Sequence, residues 1–267
     1  MAAPAVNAVS RNVTPFRYCL AGGALGGILA RMPSLSSLVA THRTVLLIDS
    51  ASAQIQVGLW RRDCEVLWRQ SDQEAGIAVF ACANAVLTQA RIRVADLDAL
   101  VFCEGPGSIL GIRTAAMALR SWPAAEGRAL PAFAYRSLEL LASDLQTSGA
   151  PAPFAVVADA RRDSWHWVDG TATGPVGPLR RVPAHELLAF AGEVFMPAGF
   201  RAWARPPRPI STVAYALPDL WLRQREADLL RVAPQPDAFL HEDAAYAKWT
   251  PQIHRAGARH SQTRADS

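Results

Sequence analysis

The pattern of apolar and polar positions becomes regular at Thr44. Thr44–Asp49 (TVLLID) is an unbroken apolar run ending in a carboxylate, the signature of a strand buried on both faces. Residues 54–60 (QIQVGLW) alternate, as a half-buried strand does, and 64–69 (CEVLWR) read as a third strand. Links as short as Arg61-Arg62-Asp63 join antiparallel neighbours, so the three predict a meander. A helix is predicted over 73–91, with two apolar stripes. One runs through Ile77, Phe80, Asn84 and Leu87, the other through Val79, Cys82, Ala83, Val86 and Ala90. A surface helix needs only one stripe. This helix therefore packs on its own sheet and on a second body, or else lies inside one large domain.

Residues 99–103 (ALVFC) predict another buried strand, 104–111 (EGPGSILG) a glycine-rich turn, and 109–122 a second helix with little polar face. A short strand over 131–134 and a helix over 137–146 complete the order β-β-β-α-β-α-β-α. Pro151 and Pro153 mark a boundary, after which the pattern weakens. Strands are predicted at Phe154–Asp159 and 164–168, and helices at 183–190 and 210–223. Many prolines between Pro175 and Pro236 predict a loop-rich region. No stretch repeats at a fixed period.

The two ends differ from this body. Residues 1–43 contain no acid and are rich in Ala, Gly, Ser and Val, with an apolar stretch at 18–30 preceded by Arg11 and Arg17. A signal peptide, a transit peptide and an over-extended start with Met32 as the true initiator all fit, the onset of pattern at Thr44 favours the last, and 1–43 are expected to be a disordered or over-extended segment. The polar, Arg-rich tail 251–267 is expected to be disordered. The net charge of +4 is concentrated in these ends, because 49–250 carry 20 basic against 22 acidic residues. A reading of the whole chain as a basic, nucleic-acid-binding protein is therefore not supported. Lys248 is the only lysine.

Four cysteines, Cys19, Cys64, Cys82 and Cys103, with no C-x-x-C, exclude a disulfide scaffold and a cysteine-rich zinc module. No apolar run reaches the ~18 residues of a membrane span. The histidines, His42, His166, His185, His241, His254 and His260, include no pair four apart, so no metal site is expected. Ser108, Cys82 and Cys103 have no evident base partner, and no Gly-x-Ser-x-Gly elbow is present. The turn at Gly105, Gly107, Ser108 and Gly111 opens a helix and is a candidate anion-binding turn, or simply a tight connection. Its glycine spacing matches neither the dinucleotide fingerprint nor a Walker loop. Asp49 and Asp159 both end apolar strands and are candidate cleft carboxylates, or turn caps.

Together LLIDSAS (46–52), VGLW (57–60), DLDALVFCEGPGSILGIR (96–113) and VADARRDSWHW (157–167) resemble the TsaB (YeaZ) family, with a weaker echo in AAYAKW (244–249). The resemblance is good over 44–168 and poor over 169–250. It implies an α/β fold of the actin, Hsp70 and sugar-kinase type (ribonuclease H-like, M22 peptidase-like), with mixed sheets, helices and two lobes. The first lobe would be 44–150 and the reduced second lobe 151–250. It implies a cytoplasmic, non-catalytic subunit that needs no cofactor and no membrane. Such a subunit pairs with a TsaD-type catalytic subunit and a TsaE-type ATPase. Together they transfer threonylcarbamoyl to N6 of adenine 37 in tRNA, which this chain would meet only indirectly. Pairing in the family uses the two first-lobe helices, which assigns Val79, Cys82, Ala83, Val86, Ile112, Ala115, Ala116 and Leu119 to a partner interface, with a homodimer as the other occupant. Two departures mark a divergent member: SDQEAGIAVF (71–80) lacks the usual histidine, and Ile109-Leu110 replaces an aromatic-Thr pair. An ATP-dependent phosphotransferase or hydrolase using Asp49 and the glycine turn is the alternative.

Overall fold

The computed structural model describes residues 33–241. A short helix α1 (Leu35–Thr41) leads into strands β1 (Thr44–Asp49), β2 (Ile55–Arg61) and β3 (Leu67–Ser71), then helix α2 (Ala75–Ala90), β4 (Ala99–Gly105) and α3 (Ile109–Ala125). These are followed by β5 (Ala132–Arg136) and α4 (Ser137–Thr147). The second half runs β6 (Phe154–Asp159), β7 (Ser164–Gly170), β8 (Arg180–Pro183), α5 (Ala184–Ala189), β9 (Glu193–Pro197), β10 (Ser211–Val213), α6 (Leu217–Arg223) and β11 (Arg231–Val232).

The strands form two mixed sheets, of order β11-β5-β4-β1-β2-β3 and β10-β9-β6-β7-β8. In the first, β1, β2 and β3 are antiparallel neighbours, while β4 and β5 continue parallel to β1. The second repeats that plan, with β6, β7 and β8 antiparallel and β9 and β10 continuing parallel to β6. The repeat is one of topology, which is why a search for a fixed sequence period finds nothing. This is the expected two-lobed α/β fold with mixed sheets.

Burial follows the sequence pattern. Val45, Leu46, Leu47 and Ile48 of β1 are fully buried, as an unbroken apolar run at the centre of a covered sheet must be. Helices α2 and α3 pack side by side, α2 against β2 and β3 and α3 against β4 and β1. Helix α4 lies between the sheets, touching β4 and β5 on one side and β6 and β7 on the other. It is buried nearly all round, Glu139 and Asp144 included. Those carboxylates are paired: Arg223 grips Asp144 with two bonds of 2.7 and 2.9 Å, and Arg136 and Arg231 both meet Glu139. Buried charge is tolerable only when paired in this way.

Several expectations need correction. The segment 1–43 includes a helix, α1, anchored by fully buried Leu35 and Leu38 and by a bond from the Ser36 N–H to the Arg225 carbonyl. Regular structure therefore begins ahead of Thr44. The single helix expected at 210–223 is a strand and a helix. Ser211, Thr212 and Val213 pair with β9, because two of the three are β-branched, and α6 starts only at Leu217, with Pro218 in its first turn. The expectations for the tail 251–267 and the echo at 244–249 lie outside the described residues.

Candidate functional site

The buried carboxylate Asp49 ends β1. Its Oδ2 accepts from the Tyr135 hydroxyl at 2.5 Å and the Tyr215 hydroxyl at 2.7 Å, and its Oδ1 accepts from the Ala51 N–H at 2.8 Å. Tyr135 comes from β5, and Tyr215 from the segment between β10 and α6. Burial raises the Asp49 pKa above the ordinary carboxylate value, while these hydrogen bonds oppose the rise. The same burial, with Asp49 alongside, lifts the Cys103 thiol and both phenols well above their usual range. Asp49 is thus sealed by two phenols. The arrangement fastens the second half of the chain to the end of β1, and it presents no free oxygen to a ligand.

Asp159, the topological counterpart of Asp49 at the end of β6, is spent in the same manner. Its Oδ1 accepts from the Arg161 N–H at 2.6 Å, and its Oδ2 from the N–H groups of Trp203 and Ala204 at 2.5 and 2.9 Å. The two carboxylates share no partner. Each holds the loop that follows its strand.

The glycine turn packs against the chain that follows β1. A Cβ on Gly107 would stand 2.4 Å from the Ala51 carbonyl oxygen, and one on Gly111 would stand 2.3 Å from that of Ser50. Only glycine permits that approach, and Gly107 also sits at φ +155°. The Ser108 N–H donates to the Ala51 carbonyl at 2.7 Å. The Ser108 hydroxyl caps α3 by accepting from the Gly111 N–H at 3.3 Å. Two of the amides that would cradle an anion are therefore occupied internally; close packing accounts for Gly107 and Gly111, the backbone angle φ +123° for Gly105, and helix capping for Ser108.

A strap crosses the same end of the molecule after β11. The Phe239 N–H donates to the Glu104 carbonyl at 2.7 Å, and the Arg136 guanidinium covers the Phe239 ring at 3.9 Å. His241 stacks on His166 with a ring-nitrogen contact of 3.0 Å. Burial, then His241 and Arg181, hold the His166 pKa down to about 4, against a smaller opposing pull from Asp159. Among the described residues no group of three or more His, Cys, Asp and Glu is placed to hold a metal ion. No helix among them is long and apolar enough to cross a membrane.

The helix pair corrects the predicted interface. Val79, Cys82, Ala83, Val86, Ile112, Ala115, Ala116 and Leu119 are all buried in the chain's own core. All but Leu119 are small or β-branched residues that let α2 and α3 approach the sheet closely. The apolar surface left open lies on the outward side of the two helices: Leu110 (77% exposed), Ile77 (57%), Met117 (53%), Phe80 (43%) and Ile109 (43%), while Leu87 of the Ile77–Phe80 stripe is buried. Phe80 of α2 meets Trp122 of α3 edge to face at 5.9 Å, so this surface spans both helices. The sequence carried the signal. Asn84 lies in the Ile77–Phe80 stripe, and a polar member marks a solvent-facing stripe.

A family described as TsaD, tRNA N6-adenosine threonylcarbamoyltransferase, matches residues 76–189. The uncharacterized proteins Rv3421c of Mycobacterium tuberculosis and Mb3455c of Mycobacterium bovis are each 31% identical over 203 residues, covering 66% of this chain and 93% of theirs. The crystal structure of YeaZ from Pseudomonas aeruginosa has a TM-score of 0.51 at 22% identity, covering 74% of this chain and 99% of that one. That of a Pseudomonas aeruginosa protein with similarity to peptidase YeaZ has a TM-score of 0.53 at 22% identity, covering 74% and 98%. Residues 46–52 and 96–113, which carry the resemblance seen in the sequence, hold Asp49 and the glycine turn, and the chain belongs to the TsaB (YeaZ) family.

Proposed function

We propose that this chain is a non-catalytic subunit that pairs with a TsaD-type catalytic subunit, with a TsaE-type ATPase completing the machinery for threonylcarbamoyl transfer to N6 of adenine 37 in tRNA. The observation that carries this reading is the open apolar surface of Ile77, Phe80, Leu110 and Met117 on a helix pair that is otherwise well packed. Contiguous apolar surface on a soluble domain marks a binding face, and a helix pair offers ridges for a partner's helices to enter. The interface is thus the outward stripe of the two helices rather than the inward one. The internal pairing of Asp49 and Asp159 supports a contribution by shape: the chain holds its partner in a competent arrangement and lends no group to the transition state.

The test is reconstitution with the TsaD-type and TsaE-type subunits, the threonylcarbamoyl donor and an unmodified tRNA transcript. Modification should fall to background when this chain is omitted and should survive Asp49→Asn. Full modification without the chain would sink the proposal.

A further inference from the structure

We infer that the hairpin between β6 and β7, together with the loop at 200–205, forms a surface for single-stranded RNA, built from Arg161, Arg162, Arg181, Arg201, Arg205 and the exposed ring of Trp203. The body of the chain is close to neutral, but its charge is unevenly spread. Here five guanidinium groups meet two carboxylates, Asp159 and Asp163. Asp159 is consumed by three backbone N–H groups. Those bonds pin the 200–205 loop onto the hairpin, so the arginines of the two segments share one surface.

Arginines elsewhere on the chain mostly have structural work. Arg61 bonds the Ala90 carbonyl, Arg62 that of Ala40, and Arg128 those of Ala95 and Leu97. In this patch, Arg181 bonds the Ser164 hydroxyl at 2.7 Å. The side chains of Arg162, Arg201 and Arg205, by contrast, are exposed and make no hydrogen bond or ion pair among the described residues. The hairpin itself is tightly turned. Arg161, Arg162 and Asp163 stand in succession at φ 61°, 50° and 55°, a left-handed run that non-glycine residues rarely adopt. Bonds between Ala160 and Ser164 and between Arg161 and Ser164 close it.

Trp203 adds what charge alone lacks. It is 62% exposed, with its backbone N–H held by Asp159 and the Arg161 guanidinium 4.6 Å above its ring. Guanidinium groups beside a positioned, open aromatic face are the pair of features that unpaired RNA engages, phosphates on the first and a base on the second. The choice of RNA over other polyanions rests on the proposed role in tRNA modification. The basic and aromatic character of the surface does not depend on it.

The test is fluorescence anisotropy of a labelled, unmodified tRNA transcript titrated with the full chain over a range of salt. Alongside the wild type stand Trp203→Ala and the double variant Arg162→Glu/Arg205→Glu. Loss of one base stack should weaken binding about tenfold, and the double variant should flatten the log–log salt dependence by about 1.5. Both variants should melt like the wild type and keep their affinity for the catalytic subunit. Wild-type chain that fails to bind the transcript overturns the inference, as do variants that bind it equally well. Trp203→Ala binding at full strength leaves only a plain polyanion patch and also overturns it. Variants that lose the catalytic subunit while keeping RNA make the surface a protein interface, again overturning it. RNA binding through these residues in a chain that never pairs with a catalytic subunit would remove the proposed function and leave this inference standing.

Discussion

The Tyr215 hydroxyl donates to Asp49 Oδ2 at 2.7 Å, joining residues 166 positions apart. The bond is one of several between the two lobes. Gln56 of β2 donates from Nε2 to the Tyr215 carbonyl and accepts at Oε1 from the Leu217 N–H, both at 2.9 Å. The Ala53 N–H donates to the Gly199 carbonyl at 2.9 Å. This end of the molecule is closed by the protein's own groups.

Asp49 is therefore a fastening group. Asp49→Ala leaves two phenols and one N–H without an acceptor in a dry interior. It should cost about 3 kcal/mol or more in urea unfolding. Tyr215→Phe removes a single bond and should cost about 1–2 kcal/mol. Equal, small effects would show that the cluster does not hold the lobes together.

The glycines separate by environment. Gly111→Ala drives a methyl group into the Ser50 carbonyl and should destabilise by about 2 kcal/mol or more. Gly76→Ala meets nothing within 4 Å in α2 and should be neutral or add up to about 1 kcal/mol. Thermal melts of the two variants check both signs.

His166 makes stability depend on pH. The unfolded chain takes up a proton near the ordinary value of 6.5, whereas the folded one resists until about 4. The unfolded state thus binds more protons between those values. The contribution is whole above 6.5 and is lost as pH falls toward 4. Unfolding free energy measured from pH 7 to pH 4.5 should decline less steeply in His166→Gln than in the wild type. Parallel curves would remove His166 from the account.

Much of the first lobe was legible because its signals are local. The unbroken apolar run of β1, the alternation in β2 and the turn at 104–111 each report their own environment. The second lobe was harder to read. Residues 211–213 are a three-residue strand whose pairing with β9 is decided by distant chain, and no local period marks it. At the site, the sequence singled out Asp49, Asp159 and the glycine turn as candidates. Their partners, Tyr135, Tyr215 and the N–H groups of Trp203 and Ala204, are too remote in sequence to be seen. For the helix pair, hydrophobicity alone ranked Val86 and Ala116 with Phe80 and Leu110. The polar Asn84 marks the outward stripe of α2, and packing shows that Val86 and Ala116 are buried while Phe80 and Leu110 face outward.

The central claim is the outward stripe. The most direct measurement is size-exclusion chromatography with light scattering of the full chain co-expressed with its TsaD-type subunit. The wild type should elute as a stable pair. Phe80→Glu and Leu110→Glu should melt like the wild type and elute unpaired, whereas Val86→Glu should fail to fold because it buries a lone charge in the core. Folded Phe80→Glu and Leu110→Glu variants that still pair in full would contradict the account.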